Sequence, residues 1–358
     1  MRSTRLKFVT VVGARPQFIK AAVLSQAIRR QHDEVLVHTG QHYDPEMSAV
    51  FFDGMGLPPP TVQLACGSGT HAEQTAAMLV SLERVLAAER PDWVVVFGDT
   101  NSTLAGALAA AKLHLPVAHI EAGLRSFNRA MPEEINRVLV DHVSQALLCP
   151  SQTAVDNLAA EGIRTGVHLI GDVMADAFMA AAENARQASR VLEDLKVRAG
   201  QFVLATVHRA ENTDVPDRLR AILTGLTALD EPVVFPVHPR TRKALDDLGY
   251  VPPPHMKLIA PLGYGDMARL VSTSRLVMTD SGGLQKEAYW AGVPCVTLRD
   301  ETEWIETVES GWNVLVGADA SRIVAAASHV KRPASRPTLY GAPGAGHRSV
   351  AILERAIT

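Results

Sequence analysis

The residues of this chain that are able to do chemistry fall into short polar clusters, each placed directly after an apolar run. They are Gly13-Ala14-Arg15-Pro16, Gly40-Gln41-His42, Gly98-Asp99-Thr100-Asn101 and Glu121-Ala122-Gly123-Leu124-Arg125. Further on come His208-Arg209, His238-Pro239 and Asp280-Ser281-Gly282-Gly283. Asp99, Glu121, Glu133 and Glu134 are carboxylates of the kind that move protons. Arg125, Arg129 and Arg137 are cations able to pair with them. Each acid also has a plainer reading. Asp99 precedes a helical pattern and serves as its local anchor. Glu133 and Glu134 follow Pro132 at a helix start, where the helix dipole favours acids. The plain reading does not explain why so many acids share the strand ends.

The most specific local signal is Asp280-Ser281-Gly282-Gly283-Leu284-Gln285-Lys286-Glu287. A strand ends, two glycines allow close approach, and a helix begins. Ser281 and the free N–H groups of Gly282 and Gly283 would cradle an anion at the positive helix end. Glu287 lies one turn further on, where a carboxylate can accept two ribose hydroxyls. The alternative is a simple Ser N-cap with an acid in reach. Arg15 and Lys20 lie about one helical turn apart and share a face, so both can meet a phosphate. Otherwise Lys20 is solvated and Arg15 pairs with a carboxylate. His208 suits a proton carrier or phosphate donor, or a structural histidine. His238, between prolines, suits a rigid turn. The first loop lacks the G-x-G-x-x-G spacing, and no G-x-x-x-x-G-K-[ST] loop occurs, so no nicotinamide or flavin cofactor is expected. No metal-binding spacing is present either.

These clusters need a scaffold. Continuous apolar strand patterns run over residues 8–12, 35–39, 93–97, 117–120 and 146–149, then 202–207, 233–237, 257–259, 276–279 and 295–298. Helical patterns lie between them, at 70–89, 102–112, 151–161, 216–229 and 283–291. Such alternation implies parallel, doubly wound sheets buried on both faces. Ligands of such sheets bind at the carboxyl ends of the strands, where the polar clusters sit. The strands are too many for one sheet. The pattern predicts an α/β protein of two Rossmann-like domains facing each other across a cleft. The first spans 1–171 and the second 172–345. A long helix over 175–198 bridges them, and a helix at 346–358 packs back on the first domain.

The 358 residues carry a net charge of −3 and no run of Lys and Arg, which argues against nucleic acid as a partner. No stretch approaches the ~18–20 apolar residues that span a bilayer, so no membrane partner is expected. The basic start is followed by too short an apolar run for a signal peptide. Three cysteines, odd in number and far apart, fit free thiols in a reducing compartment. The reading is a cytoplasmic protein.

Taken together in this order, the blocks resemble the non-hydrolysing UDP-N-acetylglucosamine 2-epimerases, with the GT-B-type architecture of one large glycosyltransferase class. The carriers are Val12-Gly13-Ala14-Arg15-Pro16-Gln17-Phe18-Ile19-Lys20, Thr39-Gly40-Gln41-His42 and Gly98-Asp99-Thr100-Asn101-Ser102-Thr103. They continue with His119-Ile120-Glu121-Ala122-Gly123-Leu124-Arg125, Pro132-Glu133-Glu134-Ile135-Asn136-Arg137 and Thr279-Asp280-Ser281-Gly282-Gly283-Leu284-Gln285. The resemblance implies a UDP-sugar substrate, a homodimer, and no cofactor. It implies removal of the C2 proton with anti elimination of UDP, then re-addition with a proton delivered to the other face. By motif position it implies Asp99, Glu121, Glu133 and His208 as catalytic residues. Arg15, Lys20, Arg137, His238, Ser281, Gly282, Gly283 and Glu287 are implied for substrate binding. The sequence departs from the best-known branch at Trp304, where Arg is usual, and in His208-Arg209-Ala210-Glu211-Asn212, which lacks a second Arg. It there resembles relatives acting on UDP-2,3-diacetamido-glucuronate. Gln41-His42-Tyr43-Asp44-Pro45 differs from members with an activating UDP-GlcNAc site. A glycosyltransferase, a hydrolysing epimerase and a non-catalytic UDP-sugar sensor are the rival readings.

Overall fold

The computed structural model describes residues 5–41, 57–67 and 69–357, and the side chains of Arg15 and Pro16 lie outside that description. His42 and the segment after it, read above for an activating site, also lie outside it. The chain divides into two compact units, residues 1–177 with 340–358, and residues 178–339.

The first unit is built on a seven-stranded parallel sheet. Its strands are β1 (Lys7–Val12), β2 (Asp33–His38), β3 (Val62–Gln63), β4 (Trp93–Phe97), β5 (Val117–Ile120), β6 (Ala146–Cys149) and β7 (Val167–Leu169). The spatial order is β3-β2-β1-β4-β5-β6-β7, so the direction of winding reverses between β1 and β4. β4 reads Trp-Val-Val-Val-Phe and is buried throughout, because helices cover both faces. Alternate side chains of β1 and β4 feed two cores. Phe8, Val12, Trp93, Val95 and Phe97 point to one, and Val9, Val11, Val94 and Val96 to the other.

The second unit repeats the plan with six parallel strands. They are β8 (Val203–Thr206), β9 (Val233–Pro236), β10 (Met256–Ile259), β11 (Leu276–Thr279), β12 (Cys295–Thr297) and β13 (Asn313–Leu315). The order is β10-β9-β8-β11-β12-β13, with the reversal between β8 and β11. Three short strands, β3, β7 and β13, lie at sheet edges and carry no apolar run that would announce them.

The helix expected over 175–198 is two helices, Val173–Ala188 and Val191–Asp194, separated by Ser189 and Arg190. The Ser189 side chain leaves the helical pattern to bond Asp266 and the Val191 N–H, which breaks the run. The chain passes from one unit to the other inside the first of these helices. Val173 belongs to the first unit's core and Phe178 to the second's. The final helix, Ala345–Arg355, adds Ala345, Val350 and Leu353 to the first unit's core.

Candidate active site

In the first unit the loops after β1, β4 and β5 converge on the point where the winding reverses, the place such sheets use for ligands. Gln17 ties two of these loops together. Its Oε1 accepts the N–H groups of Gly13 (2.7 Å) and Ala14 (3.1 Å), and its Nε2 donates to the Phe97 carbonyl (2.8 Å) and to Thr100 and Thr103. Every polar atom of this buried amide is used, so the first loop is locked to the Gly98–Thr103 turn.

On this frame Lys20 and Glu121 form a close ion pair, both side chains nearly buried. Burial alone would lower the Lys20 pKa. Glu121, and beyond it Asp172 and Asp99, outweigh burial and raise it, so Lys20 stays a cation. Glu121 has φ +73, a left-handed backbone that Glu rarely adopts. Such strain persists where the surroundings fix it, often at functional sites. Gly98, at φ +61, is the floor beneath the pair. A Cβ there would lie 3.2 Å from Glu121 Oε2 and 3.5 Å from Lys20 Nζ. Asp99 follows directly and pairs with Arg137 from the helix Pro132–Val143.

The two acids at the start of that helix differ. Glu134 is buried. It accepts the backbone N–H groups of Ser126 and Phe127, each at 2.9 Å, and pairs with Arg137 at 3.1 Å. Those donors overcome burial and hold its carboxyl below the ordinary range. Glu134 therefore ties down the 126–127 turn. Glu133 is exposed, and its side chain makes no hydrogen bond or ion pair among the described residues. The first unit thus brings together Lys20, Asp99, Glu121 and Arg137, and leaves Glu133 facing outward.

In the second unit a cavity of about 310 Å³ opens at the carboxyl ends of β8, β9 and β11. His208, His238, Ser281, Gly283 and Glu287 line it, with Pro236, Leu262 and Met267 as apolar walls. That mixture of apolar wall and few polar groups is what small-ligand sites show. Asp280 organises the rim. Its carboxylate accepts the N–H groups of His208 and Arg209 and the Asn212 amide, and lies 3.1 Å from His208 Nδ1. Asp280 is buried, yet these donors keep its pKa low. With Nδ1 donating to Asp280, His208 Nε2 is left to act on a ligand. His238 caps the helix Pro239–Asp247 through Nδ1, which accepts the Arg240 N–H at 3.2 Å, so its Nε2 carries a proton to donate.

Ser281 is the N-cap of the helix Gly282–Ala291, accepting the Leu284 N–H. Glu287 lies one turn in, with Tyr264 Oη donating to it at 3.2 Å. Burial pushes its carboxyl up to about 7, against the pull of Tyr264 and Lys286. Gly282 does not line the cavity. Its Cα faces the Trp304 indole nitrogen, 3.2 Å from where a Cβ would sit, and then Glu303 and Arg209. Lys286 Nζ lies 4.0 Å from the centre of the Trp304 ring.

Gln17, Asp280 and Tyr264 were not singled out above as site residues. Gln17 and Asp280 lie within the motif blocks but do their work by holding loops. Tyr264 meets Glu287 from a different helix, which no spacing in the sequence reveals.

Known proteins resemble this chain over nearly its full length. Residues 26–354 match the family described as UDP-N-acetylglucosamine 2-epimerase. A Methanococcus maripaludis protein named as a UDP-N-acetylglucosamine 2-epimerase homologue is 49% identical over 354 residues, 98% of this chain and 99% of that one. The UDP-2,3-diacetamido-2,3-dideoxy-D-glucuronate 2-epimerase of Pseudomonas aeruginosa is 51% identical over 330 residues, 90% of this chain and 91% of its own. The crystal structure of Methanocaldococcus jannaschii UDP-GlcNAc 2-epimerase in complex with UDP-GlcNAc and UDP matches with a TM-score of 0.85 and 42% identity, covering 98% of this chain and 100% of that one. The α/β fold is accordingly of the GT-B type. This chain belongs to the UDP-N-acetylglucosamine 2-epimerase family.

Proposed function

We propose that the protein interconverts UDP-N-acetylglucosamine and UDP-N-acetylmannosamine by inverting C2 of the sugar. The observation that carries this reading is the full-length similarity to the M. jannaschii enzyme solved with UDP-GlcNAc and UDP. The site chemistry supports it. A base removes the C2 proton, and its electron pair forms the C1–C2 double bond as the C1–O bond to UDP breaks. UDP then adds back at C1 while a proton arrives on the opposite face of C2. Two faces call for two proton-handling groups. Asp99 and Glu121, each held beside a cation, are our candidates in the first unit. Glu133 is a third, its exposed carboxylate having no other engagement among the described residues. Lys20, Arg137 and Arg15 would hold the anionic substrate and steady the departing charge. In the second unit Glu287 would take the ribose, with Ser281 and Gly283 offering the helix end to the diphosphate. His208 and His238 would donate to its oxygens.

Incubation with UDP-GlcNAc in D₂O, followed by proton NMR, tests this. Deuterium at C2 together with UDP-ManNAc is the expected result. Free N-acetylmannosamine plus UDP would replace the reading with a hydrolysing epimerase. The 51% identity to the P. aeruginosa enzyme and Trp304 favour one second substrate, UDP-2,3-diacetamido-glucuronate. Its turnover in place of UDP-GlcNAc would move the assignment to that branch.

We also infer a homodimer. Met131, Ile135 and Leu139, four residues apart at the edge and along one face of the helix Pro132–Val143, are exposed, and a second copy would cover them. Analytical ultracentrifugation should give twice the chain mass, and Ile135→Lys should lower it; a wild-type monomer at micromolar concentration would remove the inference. The free thiols Cys66, Cys149 and Cys295 support a cytoplasmic enzyme. Among the described residues no helix is long and apolar enough to cross a membrane.

A further inference from the structure

We propose that His119 is a positioning residue, a buried cation that clamps the two backbone turns carrying Asp99 and Glu121. The inference rests on the proposed reaction for its catalytic consequence only. His119 lies on β5 and is fully buried. Its Nδ1 is 2.7 Å from Asp141 Oδ1 and its Nε2 is 2.7 Å from the Gly98 carbonyl oxygen. A carboxylate and a carbonyl oxygen both only accept, so both ring nitrogens donate and the ring is charged.

A buried charge survives only when it is paired and hydrogen-bonded. Here the pairing extends beyond one partner. Arg125 Nη1 donates to Asp141 Oδ2 at 2.7 Å, and the same guanidinium meets Glu161 through two bonds of 2.6 Å. Two cations therefore face two anions. Burial would raise the Asp141 pKa, but His119 and Arg125 hold it down, so Asp141 remains an acceptor for both.

The array grips the site from below. The carbonyl that His119 takes belongs to Gly98, the floor under the Lys20–Glu121 pair, and the peptide it orients leads into Asp99. Asp141 Oδ2 also accepts the Gly123 N–H at 3.2 Å, two residues beyond Glu121. A neutral imidazole has one N–H and would release one of the two turns.

Paired substitutions separate the two bonds. Glutamine places its amide near Nε2 and keeps a donor for Gly98, whereas asparagine places its amide near Nδ1 and keeps a donor for Asp141. His119→Asn should lower kcat for UDP-GlcNAc by about 10- to 100-fold, the scale of a small misplacement of catalytic groups, with KM little changed. His119→Gln should lower it only about threefold on the same scale. Both should melt below wild type by similar amounts. Equal kcat losses in the two variants, or a full rate in His119→Asn, would overturn the proposal. A ¹⁵N-histidine NMR spectrum of the unsubstituted enzyme at neutral pH should show hydrogens on both ring nitrogens of His119, and a neutral ring would overturn it too. If the unsubstituted enzyme turns over no nucleotide sugar, the proposed reaction fails while this spectrum still decides the clamp.

Discussion

Glu287 is a buried acid and Glu121 a nearly buried one, and their surroundings set them different tasks. Burial pushes Glu287 up to about 7, so folding takes up a proton between the ordinary carboxylate range and about pH 7. The stability this group contributes falls as pH rises through that window and levels off above it. A ribose donates hydroxyls to the ionised form. UDP should therefore bind more tightly at pH 8 than at pH 6, and Glu287→Gln should remove that part of the pH dependence. Calorimetric titrations of both proteins check this, and superimposable profiles would take Glu287 out of the nucleotide site. Glu121 is held against a Lys20 that stays charged. Glu121→Gln should lower kcat by about 10²- to 10⁴-fold, the usual worth of a general acid or base. UDP affinity should not fall, because Glu121 carries the same sign of charge as the diphosphate and the ribose candidate Glu287 lies in the other unit. A large loss of UDP binding would instead make Glu121 a binding residue. The identities of these acids were legible from their motifs. What separated Glu133 from Glu134 was not, since adjacent residues on a helix face in different directions. The structure exposes one and buries the other beneath the 126–127 turn.

Several helices here begin where side-chain chemistry says they should. Thr70 and Glu73 cap each other at the start of His71–Glu89, and Ser281 caps Gly282–Ala291. The last helix is an exception. Its N-cap, Gly344, has no side chain to offer. Asp176, far away in the chain, supplies the carboxylate, accepting Gly344 N–H at 2.7 Å and Gly346 N–H at 3.1 Å. Asp176→Ala should cost about 1–2 kcal/mol, read from urea unfolding, and leave UDP affinity unchanged. An unchanged midpoint would show that solvent caps the helix as well. This contact explains a limit of pattern reading. Local caps announce a helix start, whereas a cap delivered from a distant helix leaves no mark near the site it serves. The short edge strands β3, β7 and β13 escaped for a related reason. An edge strand has one neighbour and need not be apolar on both faces.

At the scale of the molecule, the chain end closes the first unit. Leu353 and Val350 enter its core, and the Trp93 indole N–H donates to the Leu353 carbonyl at 3.1 Å. Deleting residues 341–358 would bare that core and leave Asp176 and Trp93 without these partners. The truncated protein should lose thermal stability and solubility, by melting and by yield; a protein melting as the full chain does would show the return to be dispensable. The sequence by itself determined the class of fold and the family, because buried parallel strands impose continuous apolar runs and because the polar blocks stand in one order at the strand ends. It also named most of the candidate site. The tertiary structure alone decided which polar groups meet: Lys20 with Glu121, Asp99 with Arg137, His119 with Asp141 and Gly98, Tyr264 with Glu287. Periodicity reports which face of an element is buried. It carries no record of which distant loop is brought against that face, and hydrogen bonds and pKa values depend on that placement.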